Sequence, residues 1–458
     1  MNDKQVETKW SMAQFLAENT AMRLVITATL VLLMLIPLAL VGSIVEERHM
    51  AYEDVLADIS GHWGGEQVLT GPVLIVPYTE HHEVTETKVD NLGTEYLVKR
   101  LVAKNFRAVI LPEYLSLEGK IHPEYRYRGI YKSLVYDQEV TLEGSFAKVE
   151  AQILALSEPN LLHEIHWDKA LVAVGMSDPK GIARVQALTF GGAKVDLGPG
   201  TRAPELLASG FHAPLNIGAI SEASFNLEMK IKGSHGFRLA PLGKLTEMNL
   251  SSSWAHPSFY GDLLPASHEI GKGGFKARWS IPHLVRSYPQ NWILESNAYR
   301  LDAFSAGVRL FEPVTLYTEA TRAVKYGILF IALTFLTLVL MELVTRVRPS
   351  MMQYAMIGLA LSLFYLLLIA LSEHVGFNLA YVIAAGSVIA MNSLYCMAML
   401  SKKKLALIVM VVLIALYAVL FMILRAEGHA LLAGSMLLLA AVAATMFFTR
   451  NLHKSLSR

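Results

Sequence analysis

The stretch "LVITATLVLLMLIPLALVGSIV", residues 24–45, contains no charged side chain along its whole length. A helix of about 20 apolar residues is long enough to cross the hydrocarbon core of a bilayer. A cleaved signal peptide is the alternative, because residues 41–43 are small, but signal cores span only about 7–15 residues. Pro37 predicts a kink, which helices tolerate inside membranes. We therefore predict a retained transmembrane helix at 24–45.

Five further apolar runs follow in the C-terminal part of the chain, joined by short polar connections. They cover residues 326–344, 354–371, 377–400, 405–424 and 430–448. The composition agrees with this pattern, since 53% of the residues are hydrophobic, 17% are charged and the mean hydropathy is +0.39. Soluble domains are nearer about 25% charged. The sequence therefore predicts six transmembrane helices, five of them within residues 326–448.

Residues 46–325 contain no comparable apolar run and show the alternation of β-strands. In "FNLEMKIK" (225–232) every second side chain is apolar, and "EVTLEGSF" (139–146) has a similar pattern. Such alternation is typical of strands with one buried face. Helix is predicted at 46–60 and around 147–157. The predicted fold class is therefore an α+β membrane protein with a large antiparallel β-sandwich-like domain inserted after the first helix.

Lysine and arginine are distributed unevenly over the short segments that flank the apolar runs. Eleven of them lie in the tail 1–23, in alternate short loops and in the tail 449–458, whereas the other short loops contain only Arg425. Short cytoplasmic loops of membrane proteins are enriched in Lys and Arg. We therefore predict that both tails are cytoplasmic and that residues 46–325 lie outside the cytoplasm.

The sequence contains no complete motif for catalysis, metal binding or nucleotide binding. In "HEIH" (163–166) the two histidines are three positions apart, whereas the helical zinc motif H-E-x-x-H requires a spacing of four. The single cysteine, Cys396, excludes a disulfide framework. A net charge of +1 gives no overall attraction to nucleic acid. The prediction is no cofactor, no metal and no nucleic-acid partner, with the lipid bilayer as surroundings.

Two short loops on the predicted non-cytoplasmic side contain the polar residues that are the most specific candidates for a functional site. The stretch "LLLIALSEHVGFNLAYV" (366–382) contains Glu373 and His374, and the loop "RAEGH" contains Glu427 and His429. One interpretation is a polar turn that ends a helix; the other is a two-loop cluster with proton-handling chemistry. Neighbouring side chains on a helix point about 100° apart, so the pair cannot face one substrate unless the loop is non-helical.

Two further polar residues lie inside apolar runs, where polar groups are functional candidates. Asn392 lies well within 377–400 and is predicted to form a hydrogen bond with a neighbouring helix. Glu342 lies near the predicted cytoplasmic end of its helix, within reach of headgroups or of Arg346 four residues later. The spans contain no charged residue at their centre, which weighs against an ion-coupled carrier.

One hydrophilic segment, "SSSWAHPSFYGDLLP" (251–265), is dense in aromatic and turn-forming residues. Its candidates for partner binding are Trp254, His256, Phe259 and Asp262. Aromatic anchors of this kind are common in binding interfaces. The alternative, which we favour, is a rigid packed corner of the sandwich.

Several longer strings of the chain are distinctive enough to suggest a relationship. They lie at 40–48 ("LVGSIVEER"), 71–77 ("GPVLIVP"), 253–279 ("SWAHPSFYGDLLPASHEI" with "GFKARW"), 321–335 ("TRAVKYGILFIALTF"), 353–377 ("QYAMIGLALSLFYLLLIALSEHVGF") and 447–451 ("FFTRN"). With these strings, nearly the whole chain resembles the CreD family of inner-membrane cell-envelope integrity proteins. The resemblance implies a periplasmic domain on a six-helix body. It also implies a role in tolerating envelope stress, such as that from β-lactams and some colicins, under two-component control.

Three classes of function follow from these observations. The leading hypothesis is a non-enzymatic envelope protein whose outer domain binds an envelope component or another envelope protein. The second is a transporter or flippase built on the C-terminal helices, for which Asn392 is the main support. The third is a membrane enzyme that uses Glu373 and His374. The family that the chain resembles has no established catalytic residues, so none is transferred to this sequence.

Overall fold

The computed structural model describes residues 20–89, 95–157, 161–215, 218, 222–312, 316–345, 349–399, 403–425 and 430–449. The chain divides into two compact units. The helical unit comprises Met1–Glu53 and Val314–Arg458, and the sheet unit comprises Asp54–Pro313. The fold is therefore mixed, with apolar helices at both ends of the chain and a large β domain after the first, as the sequence predicts.

The N-terminal apolar run forms two consecutive helices, α1 (Thr20–Leu33) and α2 (Leu35–Trp63). Pro37 has no backbone N–H, so it cannot donate to the carbonyl of Leu33 four residues earlier. The helix is interrupted at Met34, beside that lost hydrogen bond. The helix is therefore interrupted close to the proline where the sequence predicts a kink, and the helix predicted at 46–60 is confirmed as the second half of α2.

The C-terminal part forms five helices that follow one another closely. They are α4 (Leu316–Thr345), α5 (Met351–Val375), α6 (Phe377–Met399), α7 (Lys403–Arg425) and α8 (Ala430–Thr449). In the described residues, α4–α7 and the joined α1–α2 rod are long and apolar enough to cross a membrane, and α8 contains a shorter apolar stretch, Leu432–Phe447. The helix α4 begins at Leu316, well before the predicted 326, because hydropathy detects only its apolar part.

Small residues let the helices of the helical unit approach closely. A side chain added at Gly358 on α5 would meet the Met34 sulfur at 2.7 Å, and one at Gly327 on α4 would meet Leu38 at 2.9 Å. Ala380 and Ala384 on α6 are fully buried. Close packing of small residues is the usual basis of helix association in membranes, where lipid offers no hydrophobic driving force.

The sheet unit contains eighteen strands among its described residues, and ten of them form the first sheet. These are β1 (Gln67–Val89), β2 (Glu95–Ile110), β5 (Leu162–Ile165), β6 (Ala170–Met176), β9 (Gly198–Pro199), β10 (Gly210–Leu215), β12 (Gly236–Ala240), β14 (Pro257–Gly261), β17 (Asn291–Ile293) and β18 (Ala306–Leu310). The order is β14-β18-β12-β1-β6-β10-β9, with β2 and β5 also paired to β1 and β17 paired to β2.

The other eight strands form the second sheet in the order β15-β16-β13-β3-β4-β11-β7-β8. They are β3 (Tyr114–Arg128), β4 (Tyr131–Ala147), β7 (Ile182–Phe190), β8 (Ala193–Lys194), β11 (Glu222–Ser234), β13 (Leu245–Ser252), β15 (Ser267–Gly271) and β16 (Gly274–Pro282). A short helix, α3 (Val149–Leu154), follows β4. Of the described strand pairs, only β1 with β12 and β3 with β13 are parallel.

One continuous hydrophobic core joins the two sheets. Strand β11 shows how the sequence builds it, because Phe225, Leu227, Met229 and Ile231 are buried while the residues between them are not. The same core contains Trp279 of β16 together with side chains of the first sheet. The period-two pattern of the sequence is thus confirmed as the inner face of a sandwich.

Candidate functional site

The outer face of the second sheet carries an open groove of about 560 Å³. Strands β3, β13, β15 and β16 line it, with polar contributions from Lys120, His122, Ser251, Ser253, Glu269 and Lys276. Strand alternation explains this placement: Ile121 and Phe275 point into the core, so their sequence neighbours point outward. A second cavity of about 580 Å³ shares lining residues with the first and extends the groove along the strands.

The charges of this groove are only partly neutralised. Arg278 lies 3.2 Å from Glu247, and Glu118 accepts a hydrogen bond of 2.6 Å from Asn249. Within the described ranges, Lys120 and Lys276 form no ion pair. The groove therefore offers cationic groups and hydroxyls that are free to contact a polar ligand.

The aromatic segment 251–265 is engaged mainly with its own domain. The indole N–H of Trp254 donates to the Phe311 carbonyl at 3.0 Å, and the Phe259 ring lies 5.8 Å from the ring of Trp279. Asp262 accepts a hydrogen bond of 2.8 Å from a backbone amide. His256 is exposed. This geometry favours the packed corner, and a role of these four residues in binding stays a prediction.

A charged cluster that the sequence did not reveal lies beside this segment. Tyr260 donates a hydrogen bond to Glu66, whose carboxylate also lies 3.1 Å from Arg238 and 3.4 Å from Arg309. Burial, together with the neighbouring carboxylate, raises the pKa of Tyr260 above its ordinary value. Because the members come from distant parts of the chain, no local pattern could identify the cluster. It joins the first residues of the sheet unit to β12, β14 and β18.

Glu373 and His374 both lie in the last turn of α5, which ends before Gly376. The Tyr317 hydroxyl donates to Glu373 at 3.2 Å, whereas His374 is exposed. The local backbone is helical, so the two side chains point in different directions. Glu427 and His429 lie outside the described residues, so their meeting with this pair stays a prediction.

A different polar contact lies at the ends of α4, α6 and α7. Glu319 in the first turn of α4 is only 6% exposed, and its carboxylate lies 3.9 Å from Arg425 at the end of α7. Arg425 also donates a hydrogen bond to Asn378 at the start of α6. The sequence identified Arg425 only as an isolated loop cation, because Glu319 precedes the apolar run of α4.

Glu342 forms contacts that the sequence did not identify. Arg346 lies outside the described residues, so its pairing with Glu342 stays a prediction. Glu342 lies 2.6 Å from Arg23 of α1 and accepts a hydrogen bond of 2.9 Å from Tyr354. Arg23 also donates to the Pro349 carbonyl at 2.8 Å. Arg23 is distant in sequence from Glu342, so no local spacing could identify this contact.

The hydrogen bond expected for Asn392 is not formed by its amide nitrogen. Asn392 is 2% exposed, and that nitrogen has no hydrogen-bond partner in the part of the chain that the structure describes. It lines an apolar groove of about 340 Å³ between α5 and α6. The surrounding side chains, mainly Met and Leu, offer it no acceptor.

Glu373 and His374 are expected to contribute very differently to stability. Glu373→Ala removes the acceptor of the Tyr317 hydroxyl and should destabilise the helical unit by roughly 1–3 kcal/mol. His374→Ala is the matched control and should change stability by less than about 0.5 kcal/mol, because the side chain is exposed. Thermal unfolding in detergent measures both. Equal effects of the two substitutions would contradict the assigned contact.

No group of three His, Cys, Asp or Glu side chains that could hold a metal ion lies within the described ranges.

The arrangement is that of an integral membrane protein, with several spanning helices and a two-sheet domain inserted after the first. The sequence profile of the family described as "Inner membrane protein CreD" matches residues 19–454. The Inner membrane protein CreD of Escherichia coli (strain K12) is 34% identical over 426 residues, covering 92% of this chain and 91% of that protein. The chain belongs to the CreD family and is a multi-pass inner-membrane protein embedded in the lipid bilayer.

Proposed function

We propose that this protein supports cell-envelope integrity and tolerance of envelope stress by binding an envelope component in the groove of its sheet unit. The observation that carries the proposal is the pair Lys120 and Lys276, which line a large groove without forming ion pairs in the described chain. Lys120 and Lys276 flank Ser251 on the two neighbouring strands, and Glu269 is in register with Lys276 on its other side, so a ligand lying over Ser251 reaches both ammonium groups. A ligand with negative charge satisfies both.

The other groups of the groove narrow the ligand chemistry. Ser251 and Ser253 offer hydroxyls that both donate and accept, and His122 adds a ring nitrogen. The polar side chains outnumber the apolar ones that reach the groove surface. The preferred ligand is therefore a polar component of the envelope that presents negative charge to the two lysines and a hydrogen-bond donor to Glu269.

The proposal places residues 46–325 in the periplasm and both termini in the cytoplasm. Its support is the excess of Lys and Arg in alternate short segments, eleven against one. In a Cys396→Ala background, Ser253→Cys should react with a membrane-impermeant maleimide when the inner membrane is intact, and Arg458→Cys should not. Labelling of Arg458→Cys alone would reverse the assignment.

Reversing charge in the groove tests the function itself. Lys120→Glu with Lys276→Glu should reduce envelope-stress tolerance to that of a strain lacking the protein, because the carboxylates repel an anionic ligand. Measurements are survival under envelope stress, protein amount in the membrane and the unfolding temperature; Lys120→Gln with Lys276→Gln, which adds no carboxylate opposite Glu139 or Glu269, should also reduce tolerance and leave the last two unchanged. The control is Lys169→Glu with Lys194→Glu, two exposed lysines outside the groove. Full tolerance with the groove variant would refute the proposal.

A further inference from the structure

A long two-stranded ribbon extends from the first sheet. Residues 82–89 of β1 pair with 95–102 of β2, for example Val84 with Arg100 and Thr87 with Leu97. Strand β5 pairs with β1 only as far as His81, and β17 pairs with β2 only at 108–110. We call residues 82–89 and 95–104 the arm. Among the described strands, none other pairs with it, so both of its edges carry backbone groups without a strand partner.

The arm exposes several apolar side chains. Leu97 is 71% exposed, Leu101 is 64% exposed and Val84 is 40% exposed. Isolated two-stranded ribbons are marginally stable in water, and proteins usually protect long open edges. The arm is anchored just beyond its base, where Arg107 lies 2.6 Å from Glu205 and 2.7 Å from Glu295. An anchored, apolar and open-edged ribbon is suited to accepting another strand.

The two strands of the arm differ in charge. The described side chains of β2 include Lys99, Arg100 and Lys104, whereas those of β1 include Glu83 and Glu86. Lys99 lies 2.9 Å from Glu83, but Arg100 and Lys104 form no ion pair within the described ranges. Because side chains alternate, Leu97, Lys99 and Leu101 share one face of β2, and Val98, Arg100, Val102 and Lys104 share the other. The β2 edge thus has one face with two exposed leucines and a lysine that is already paired with Glu83, and another face whose two cations form no ion pair within the described residues.

These features select one kind of occupant for the β2 edge. Lipid is disfavoured, because hydrocarbon cannot satisfy the open backbone N–H and C=O groups. Twofold pairing of β2 with β2 of a second copy is disfavoured, because it would bring together two strands that each carry Lys99, Arg100 and Lys104. We propose that the β2 edge of the arm binds an extended segment of a partner protein by strand addition, with apolar side chains over Leu97 and Leu101 and carboxylates opposite Arg100 and Lys104.

A peptide of defined sequence tests this proposal on the full-length protein in detergent. The probe is a labelled peptide of alternating valine and glutamate; the matched probes are its valine–lysine counterpart and an N-methylated version that cannot pair as a strand. Only the first should bind saturably. Arg100→Glu with Lys104→Glu should weaken binding at least about tenfold. Leu97→Ser with Leu101→Ser should weaken it as well.

The remaining outcomes separate this proposal from the one for the groove. Lys120→Glu with Lys276→Glu should leave peptide binding unchanged, because the arm belongs to the other sheet. Equal binding of the lysine or N-methylated peptide would overturn strand addition to a basic edge. Absence of saturable binding to the glutamate peptide would overturn it too. The proposal would also be overturned if copies of the protein associate with one another, or bind to vesicles, and Leu97→Ser with Leu101→Ser abolishes that association or binding.

Discussion

Arg23→Ala is expected to lower the free energy of unfolding of the helical unit by about 3–5 kcal/mol. The substitution leaves the Glu342 carboxylate without its cation in a site where both side chains are largely shielded, at 9% and 15% exposure. The Tyr354 hydroxyl still donates to Glu342, but one neutral donor does not replace a charge. Thermal unfolding in detergent and the amount of protein in the membrane measure the effect.

A double variant provides the control for this prediction. Arg23→Met with Glu342→Leu removes both charges, so no uncompensated carboxylate is left in the packed helices. We expect the double variant to recover most of the stability that Arg23→Ala loses. If both variants lose stability equally, the loss comes from packing of the long side chains, and the ion-pair explanation is wrong. If neither loses stability, the contact contributes nothing.

The helices and the sandwich could be predicted because their signals are local. An uncharged run such as 24–45 or an alternating run such as 225–232 carries its pattern within one element. The start of α4 could not be predicted in this way. Its first turns contain Glu319, whose partner Arg425 is distant in sequence. A buried charge lowers the hydropathy of a helix without ending it, when another element supplies the counter-charge.

The candidate sites were harder to predict for the same reason. Lys120 and Lys276 approach because β3 pairs in parallel with β13 and β13 pairs with β16. Neighbours in a sheet are set by strand order, which hydrophobic alternation does not specify. The sequence therefore drew attention to the aromatic segment 251–265, which is conspicuous locally, and not to two ordinary lysines. The arm could not be predicted from the sequence either, because its two strands show no pattern that distinguishes them from the other strands. Only their pairing in the structure identifies it.

The second large expected effect is a loss of stability in the core of the sandwich, next to the aromatic segment 251–265. Trp279→Ala should lower the free energy of unfolding of the sheet unit by about 3–5 kcal/mol. The indole is 1% exposed, and its N–H donates to the Leu263 carbonyl at 3.2 Å, which holds the end of the segment. The substitution creates a cavity and removes that hydrogen bond. Denaturant unfolding of the full-length protein, followed by tryptophan fluorescence of the remaining indoles, measures the change.

Phe259 distinguishes the two interpretations of the segment, because its ring packs edge-on against Trp279 and also lies 5.8 Å from Phe275. Phe259→Ala should therefore destabilise the sheet unit by about 2–3 kcal/mol, somewhat less than full burial would give. His256→Ala is the control and should change stability by less than about 0.5 kcal/mol. If Phe259→Ala instead left unfolding unchanged and abolished stress tolerance, the segment would be a partner-binding loop. A packed corner requires the opposite result, since its aromatic rings act on the core that holds the groove strands in register.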